Sequence, residues 1–512
     1  MASDIDVAVV GGGHNGLVAA TYLAWAGLNV HVFERRSWTG GAAITEELWP
    51  GFKFSTCAHM VHGIQPKIYR EFQLLERGME VIPRQGIQLM PDGTYFGPKT
   101  HDSSRNCAVH LTRAEQEGQR RYGEFKNTLQ RAISPYRLQP PPSLDEVRAT
   151  IAGTPAADVL EKALTTRIYD LQDELLPDGK LKDRLAYEAG AIGRNPFAFQ
   201  FAYASLNAVD EETGIKPPNG YVRGGVGVIS RLFRESAEEA GVTIHTDHEV
   251  EEFLVEDGEV IGIRLAGDEE VRSRVVASNL DPKGTFLRLM PSQHLDNGFR
   301  KRIQGMITHV SCYKFLAVIS ELPQWTAWDG DPELPSKGAV VISLDRAEMS
   351  ASYDDLEAGR PPRRPLISYS IPSAVDDSLT QPGYHTASIW IYPAPAKLQG
   401  TTWDDVRERV AEGLIDQITA YAPNFRRSIR DYKLRTPLDL ERENGLTDGC
   451  IWHVQHTGEH LVWNRPLPEI SHYRAPLPGL YLCGAGQHPG GEISGVPGHN
   501  AAHEILKDLG QV

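Results

Sequence analysis

Three glycines near the N-terminus have the spacing of a dinucleotide-binding turn. Gly11, Gly13 and Gly16 fit the pattern G-x-G-x-x-G. In this pattern the first glycine permits a tight turn, the second lets the backbone approach a pyrophosphate, and the third lets a helix pack against a strand. Glu34 follows further along the chain, where a carboxylate can accept hydrogen bonds from ribose hydroxyls. These residue types at this spacing therefore indicate the binding of a dinucleotide.

The elements around the turn are those that it requires. Asp6 to Val10 is a short, apolar run typical of a buried parallel strand. Leu17 to Ala26 has helical character and is followed by Gly27, which fits a helix C-cap. A second strand, Asn29 to Phe33, ends at Glu34. The helix N-terminus offers unpaired N–H groups and a partial positive charge to a pyrophosphate. Because these parts occur in order, the sequence predicts a dinucleotide site rather than an ordinary glycine-rich turn.

Basic and small residues follow this acid directly. Arg35 or Arg36 is placed to face the adenosine end of the ligand, and the pair Gly40-Gly41 lets the backbone approach the diphosphate from another side. A surface turn is the alternative interpretation of the glycine pair. The arginines raise the question of NADP, but the carboxylate of Glu34 argues against it because it would repel a 2′-phosphate.

The next stretch carries a family resemblance. Residues 44–52 read ITEELWPGF, and residues 54–62 read FSTCAHMVH. Together with the glycine turn and the acid, this pattern resembles the N-terminal portion of the phytoene-desaturase-like FAD oxidoreductases, a branch of the amine-oxidase superfamily. The resemblance implies that the stretch leads from the diphosphate toward the isoalloxazine, with His59 and His62 near the substrate. A purely structural role stays the alternative for each histidine.

The region between residues 70 and 208 has a different character. Residues 112–133 mix Glu and Arg in a pattern typical of an exposed amphipathic helix, and residues 140–142 form a proline spacer. Phe199, Phe201 and Tyr203 belong to an aromatic segment. This segment predicts either core packing or one wall of an apolar substrate cavity.

Residues 221–279 predict a helix, a strand and a hairpin whose turn is Asp257-Gly258. The resemblance implies that backbone around Val250 meets the adenine. The nearby Gly225 and Gly227 do not continue into a third glycine, because Ser230 occupies that position. A second independent dinucleotide site is therefore not indicated.

Residues 282–445 predict the strands of a second sheet, at Tyr313 to Ile319, Ala339 to Ser343, Leu366 to Ile371 and Ala387 to Tyr392. The resemblance implies that this sheet has one wet and one apolar face and that it covers a flavin.

The C-terminal segment is the second strong signal. An apolar strand runs into a glycine turn at Gly484, and a further glycine-rich stretch opens the last helix. High glycine density beside a helix N-terminus is expected where backbone must reach a planar, polar ring. The resemblance implies that Gly484 contacts the diphosphate and that Gly491 to Gly495 reach the flavin. Glu492 departs from the family pattern, since many relatives carry a third glycine there, and it leaves the exact reaction open.

Motif and resemblance together identify two sets of candidate residues. The predicted cofactor-binding residues are Gly11, Gly13, Asn15, Gly16, Glu34, Arg35, Gly40, Gly41, Ala42, Val250, Gly484, Gly491, Glu492, Ile493 and Gly495. The candidates for acid–base catalysis are Glu492, His59, His62 and His453.

Composition excludes several classes of function. The net charge of −15 is a poor match for a nucleic-acid backbone or an anionic membrane surface. The five cysteines are scattered, with no spacing that supports a disulfide framework or a metal site. No apolar run is long enough to span a membrane, and the first strand begins too early to leave room for a targeting peptide. We expect a cytoplasmic protein; peripheral membrane contact stays open.

The fold class that follows is α/β, with a Rossmann-type FAD-binding domain interleaved with an α+β substrate domain that contains a second mixed sheet. We predict that residues 1–75, 209–290 and 445–512 form the first domain and residues 76–208 and 291–444 the second. The expected cofactor is FAD, and the expected reaction is hydride removal from an apolar, isoprenoid-like molecule. Electrons would pass to dioxygen, a quinone or a partner protein.

Two alternatives stay open from the sequence. The first is a saturase or a redox-neutral double-bond isomerase, in which reduced flavin lends and recovers a hydride. The second is a non-catalytic FAD-binding chaperone or interaction protein that has kept the cofactor site.

Overall fold

A computed structural model describes residues 5–100, 103–204 and 219–511. The predicted domain boundary between residues 208 and 209 lies outside these ranges. The described strands are β1 Val7–Val10, β2 Val30–Phe33, β3 Glu46–Trp49, β4 Phe52–Phe54, β5 Val81–Pro83, β6 Gly86–Leu89, β7 Tyr95–Phe96, β8 Gly220–Val222, β9 Thr243–His245, β10 Val250–Glu256, β11 Glu259–Leu265, β12 Glu270–Arg272, β13 Val275–Ser278, β14 Val310–Ile319, β15 Ala339–Ile342, β16 Leu366–Ser370, β17 His385–Pro395, β18 Ile429–Arg435 and β19 Leu480–Leu482.

The described α-helices are α1 His14–Trp25, α2 Pro66–Glu71, α3 Arg113–Ile133, α4 Leu144–Ile151, α5 Pro155–Thr165, α6 Ile168–Leu175, α7 Lys180–Gly190, α8 Ala198–Ala204, α9 Gly227–Glu239, α10 Asn297–Gly305, α11 Leu334–Lys337, α12 Arg346–Glu357, α13 Trp403–Tyr421, α14 Phe425–Ser428, α15 Pro437–Asn444 and α16 Val496–Asp508.

A five-stranded parallel sheet holds the glycine turn. Its strand order is β19-β13-β1-β2-β9, and every neighbouring pair is parallel. All four residues of β1 are buried, as expected for a central parallel strand covered on both faces. The strands come from three separated stretches of the chain, so residues near the N- and C-termini meet at one sheet.

Helices α9 and α16 both pack against α1 beside this sheet. Helix α1 ends at Trp25 and its C-cap is Ala26, after which Gly27 adopts a left-handed φ of +89°. This confirms the predicted C-cap region. A Cβ atom at Gly498 of α16 would overlap the carbonyl oxygen of Asn15 in α1. The missing side chain therefore lets the last helix contact the first turn of α1 closely.

A seven-stranded mixed sheet forms the second layer. Its order is β18-β14-β17-β16-β15-β6-β7, and β15 and β6 are parallel whereas the other neighbouring pairs are antiparallel. All four predicted strands are present. The expectation of one wet face is wrong, because β14 is buried on both faces. Phe315 packs in the cluster that contains helix α13, whereas Leu316 and Val318 pack against Phe54 of β4.

Helices α3 to α8 share one apolar cluster, which also contains Phe96 of β7 and residues 461 and 462. Helix α3 agrees with the predicted helix at residues 112–133, and Thr112 and Glu115 form a capping box at its start. Phe199 and Tyr203 of α8 are buried in the apolar core of this cluster. Within the described residues, no helix is long and apolar enough to cross a membrane.

The predicted hairpin is formed by β10 and β11. Asp257 and Gly258 connect the two antiparallel strands with φ angles of +48° and +82°. Two positive φ values are required by a type I′ turn, which Asp-Gly favours. This hairpin places Val250 at the start of β10.

Candidate functional site

One cavity of about 750 Å³ begins at the carboxyl ends of β1 and β2. Ligands of open α/β sheets bind at this edge. The cavity extends from there to the C-terminal glycine-rich stretch and to the segment around His59. The predicted residues that line it are Gly11, Gly13, Asn15, Glu34, Arg35, Gly41, Ala42, His59, His62, Val250, His453, Gly491, Glu492 and Ile493.

The glycine turn leaves no space for side chains. Gly11 has a φ of +94°, and a Cβ atom at Gly13 would lie 2.7 Å from Nδ2 of Asn279. That amide donates a hydrogen bond to the carbonyl of Gly11 at 3.1 Å, which holds the turn in place. A Cβ atom at Gly16 would overlap the carbonyl oxygen of Gly11. Gly16 therefore acts by letting α1 start against the turn, and it does not line the cavity.

Glu34 and Asn15 present oxygen atoms at the dinucleotide end. Glu34 is buried, and its Oε2 and Oε1 accept hydrogen bonds from the backbone N–H groups of Gly12 at 2.9 Å and Arg36 at 3.1 Å. Each carboxylate oxygen can accept a further bond. Oδ1 of Asn15, at the start of α1, is buried and has no hydrogen-bond partner. Together with the closed glycine turn, these groups fit a dinucleotide cofactor.

Gly40, Gly484 and Gly495 are the other glycines predicted to bind the cofactor. The N–H of Gly40 donates to the carbonyl of Gly12 at 2.8 Å. A Cβ atom at Gly484 would lie 2.7 Å from the carbonyl oxygen of Asn279. Gly495 has a φ of +72° and is the N-cap of α16. None of the three lines the cavity, so the structure places them beside the predicted cofactor site rather than in it.

Glu492 is held between two histidines. It has a positive φ of +70°, which is uncommon for a residue with a side chain. Its Oε1 lies 3.6 Å from Nδ1 of His62, and its backbone carbonyl lies 3.2 Å from Nε2 of His14. Burial, followed by the charge of His453, lowers the pKa of His14 to about 4, although the bond to Glu492 partly offsets this. His14 is therefore neutral at pH 7 and donates to the carbonyl.

The other two candidate histidines, His59 and His453, are half-buried. Burial, followed by the charges of Lys314, Arg84 and His62, lowers the pKa of His59 well below its usual range. Burial lowers the pKa of His453, and Asp281 partly offsets this. Nδ1 of His453 is buried and has no hydrogen-bond partner. Both side chains are thus neutral at pH 7 and face the same cavity.

The wall away from the dinucleotide end is mixed in character. Phe201 and Ile192 contribute apolar surface, whereas Arg84, Lys126 and Glu188 contribute charges. Of the predicted aromatic segment, Phe201 lines the cavity, and the residues on either side of it pack in the helical core. The three charged residues belong to no motif, so the sequence offered no signal for them. His14 was likewise missed, although it stands inside the glycine motif.

Comparisons with known proteins agree with this geometry. Residues 9–75 match the model of the NAD(P)-binding Rossmann-like domain. The rat pyridine nucleotide-disulfide oxidoreductase domain-containing protein 2 is 35% identical to this chain, over 99% of the chain and 94% of its own length. The chain belongs to the family of that protein. The family lies within a wider group of oxidoreductases, as the following two similarities indicate.

A phytoene desaturase (neurosporene-forming) of Cereibacter sphaeroides is 24% identical over 99% of the chain and 95% of its own length. Cyclohexylamine oxidase from Brevibacterium oxydans superposes with a TM-score of 0.61 at 14% identity, covering 99% of each chain. The resemblance to phytoene-desaturase-like proteins is thereby confirmed, and so is the predicted fold class. The likeness to the amine oxidase concerns the fold alone.

Proposed function

We propose that this protein is an FAD-dependent oxidoreductase that removes a hydride from a largely apolar, isoprenoid-like small molecule. One observation carries the proposal. A single cavity joins the closed glycine turn and Glu34 to Gly491 and to His59. A cofactor bound at the turn would therefore share its cavity with the candidate substrate residues.

The residues of the chain have separate roles in holding the cofactor. Glu34 would bind ribose hydroxyls, and the N–H groups at the start of α1 with Gly13 would bind the diphosphate. Val250 would contact the adenine, and Gly491 to Ile493 would lie against the ring. FAD would supply a two-electron acceptor for a hydride. FAD is favoured over NAD because the C-terminal glycine-rich stretch provides a second contact region that a simple dehydrogenase domain does not need.

Glu492 and His62 would together carry out proton transfer. The two side chains are 3.6 Å apart and both line the cavity, whereas His14 holds the backbone of Glu492. A carboxylate beside an imidazole can accept a proton and pass it on. His59 and His453, both neutral, would orient polar groups. The electron acceptor that the proposal requires is dioxygen, a quinone or a partner protein.

The test combines cofactor identification with anaerobic reduction. The purified protein should be yellow and should release FAD on heating or acid treatment. Phytoene, a smaller isoprenoid alcohol and cyclohexylamine would then be added without oxygen, and loss of flavin absorbance would be followed. We expect the isoprenoids to reduce the flavin. Bound NADP without flavin contradicts the proposal. Turnover without net reduction identifies an isomerase, and the absence of any reduction identifies a non-catalytic FAD-binding protein.

A further inference from the structure

Arg84 contributes a cation to the wall of the cavity. Its Nη1 is buried without a hydrogen-bond partner, and no carboxylate of the described residues forms an ion pair with its guanidinium. Neighbouring arginines in the sequence behave differently, since Arg77 pairs with Glu239 and Arg105 with Asp329. A partly buried guanidinium that lacks an anion is costly. This cost indicates that another anion binds there.

The backbone fixes Arg84 on the side of the cavity that holds His59. Arg84 follows β5 directly, and β5 pairs with β8 in an antiparallel register that sets Ile82 opposite Tyr221. The guanidinium carbon lies 6.0 Å from the centroid of the Tyr221 ring. The charge of Arg84 also contributes to the lowered pKa of His59, after burial and Lys314. Arg84 therefore faces the substrate end of the cavity.

Lys126 is a second cation of the same cavity. Its Nζ lies 5.2 Å from the centroid of the Phe201 ring, a distance at which an ammonium is attracted by the ring face. No carboxylate of the described residues pairs with it. Both Lys126 and Phe201 line the cavity, so this end offers a cation beside apolar surface.

The balance of charges decides what anion fits. Glu188 is a carboxylate that lines the same wall. Its ion-pair partner is Arg184, at 3.9 Å. Glu492 is opposed by His62. Among the described residues of this wall, Arg84, Lys126 and Glu188 together carry a net charge of about +1, since His59 is neutral. A monoanion matches that charge better than a phosphate dianion does.

We propose that Arg84, with Lys126, binds a carboxylate of the substrate, so that the substrate is an apolar molecule that carries a carboxylate group. The planar guanidinium presents parallel N–H donors that suit a carboxylate. This proposal rests on the proposed function, because it describes the substrate of the same cavity. It refines that function by adding an anionic end to a largely apolar molecule.

The test measures equilibrium binding to the protein as isolated with its cofactor. Isothermal titration calorimetry would compare octanoate, 1-octanol and octyl phosphate, which share one apolar chain. We expect octanoate to bind at least tenfold more tightly than 1-octanol. Arg84→Gln should lose at least tenfold in octanoate affinity with no change for 1-octanol, and Arg84→Lys should be intermediate. Arg120→Gln, on the exposed face of α3, is the matched control and should behave as wild type.

Stability gives a second readout for the same variants. Because the Arg84 guanidinium has no ion-pair partner among the residues that the structure describes, Arg84→Gln should unfold at the same temperature as wild type or higher. A large loss of stability in Arg84→Gln would show that Arg84 stabilises the folded protein, and it would overturn the proposal. Equal affinity for octanoate and 1-octanol, no octanoate binding to wild type, or Arg84-dependent preference for octyl phosphate would also overturn it.

The two proposals fail in different ways. A protein without flavin that still binds octanoate through Arg84 would refute the oxidoreductase and keep the carboxylate site. If a neutral isoprenoid reduces the flavin and Arg84→Gln binds octanoate as tightly as wild type does, the oxidoreductase proposal stands and the carboxylate site is refuted.

Discussion

Gly63 provides the space that the carboxylate of Glu492 occupies. A Cβ atom at Gly63 would overlap Oε2 of Glu492 and lie 3.0 Å from its Cβ. The two residues are far apart in sequence, yet the absence of a side chain at one decides where the acid of the other can point. Oε1 of the same carboxylate then faces His62.

Gly63→Ala should displace this carboxylate without unfolding the protein. The backbone at Gly63 does not have a left-handed φ, so it can accept alanine without strain. The new Cβ atom clashes instead with the side chain of Glu492. We expect full FAD content and a rate of flavin reduction lowered by about tenfold, the lower end of what a positioned acid–base group contributes. Gly123→Ala in α3, where a Cβ atom meets nothing within 4 Å, is the control and should leave the rate unchanged. A normal rate in Gly63→Ala would contradict this role.

Glu492→Gln should keep the cofactor and slow its reduction. Glutamine retains the shape of the side chain but cannot accept a proton as a carboxylate does, so we expect a rate lowered by about tenfold or more. Anaerobic stopped-flow reduction would measure the rate in the variant and in wild type. Equal rates in the two proteins would show that Glu492 takes no part in the reaction.

Gly13→Val should abolish cofactor binding. Even the first carbon of the new side chain would lie 2.7 Å from Nδ2 of Asn279, and the branched atoms would enter the space at the start of α1. We expect flavin content per folded protein to fall to a trace, as measured by absorbance against circular dichroism. Glu117→Ala, on the exposed face of α3, should remain fully loaded. A loaded Gly13→Val protein would remove this glycine from the site.

Lys314 should make stability depend on pH. This buried lysine of β14 donates to the carbonyls of Ser55 at 2.7 Å and Cys57 at 3.0 Å, and burial lowers its pKa to about 7. The folded state then binds fewer protons than the unfolded chain between about pH 7 and the usual lysine pKa near 10.4. The contribution of Lys314 to stability therefore rises with pH across this window, by roughly 1.4 kcal/mol per pH unit at most.

The measurement compares thermal unfolding of wild type and Lys314→Met at pH 7 and pH 9. The unfolding temperature of wild type minus that of the variant should increase by a few degrees at the higher pH. Lys53→Met, in the exposed part of β4, should show the same difference at both pH values. A difference for Lys314→Met that does not grow with pH would contradict a neutral buried amine.

Local features of the fold could be predicted from the sequence because they depend on neighbours along the chain. The turn after β1, the end of α1 just before Gly27 and the Asp257-Gly258 turn each follow from one or two residues whose backbone preferences are strong. Strands β14 to β17 follow from alternating apolar runs. The family resemblance also follows from short motifs at the two ends of the chain.

The arrangement of the candidate site was decided by tertiary structure alone. The burial of both faces of β14 depends on the β3–β4 hairpin packing over it, which no periodicity in β14 reveals. The partners of Glu492, and the lack of an ion-pair partner for Arg84 in the described part of the chain, depend on side chains brought together from distant parts of the sequence. Sequence spacing determines which backbone shapes are allowed, whereas packing across the cavity determines which charges meet and which remain without a partner.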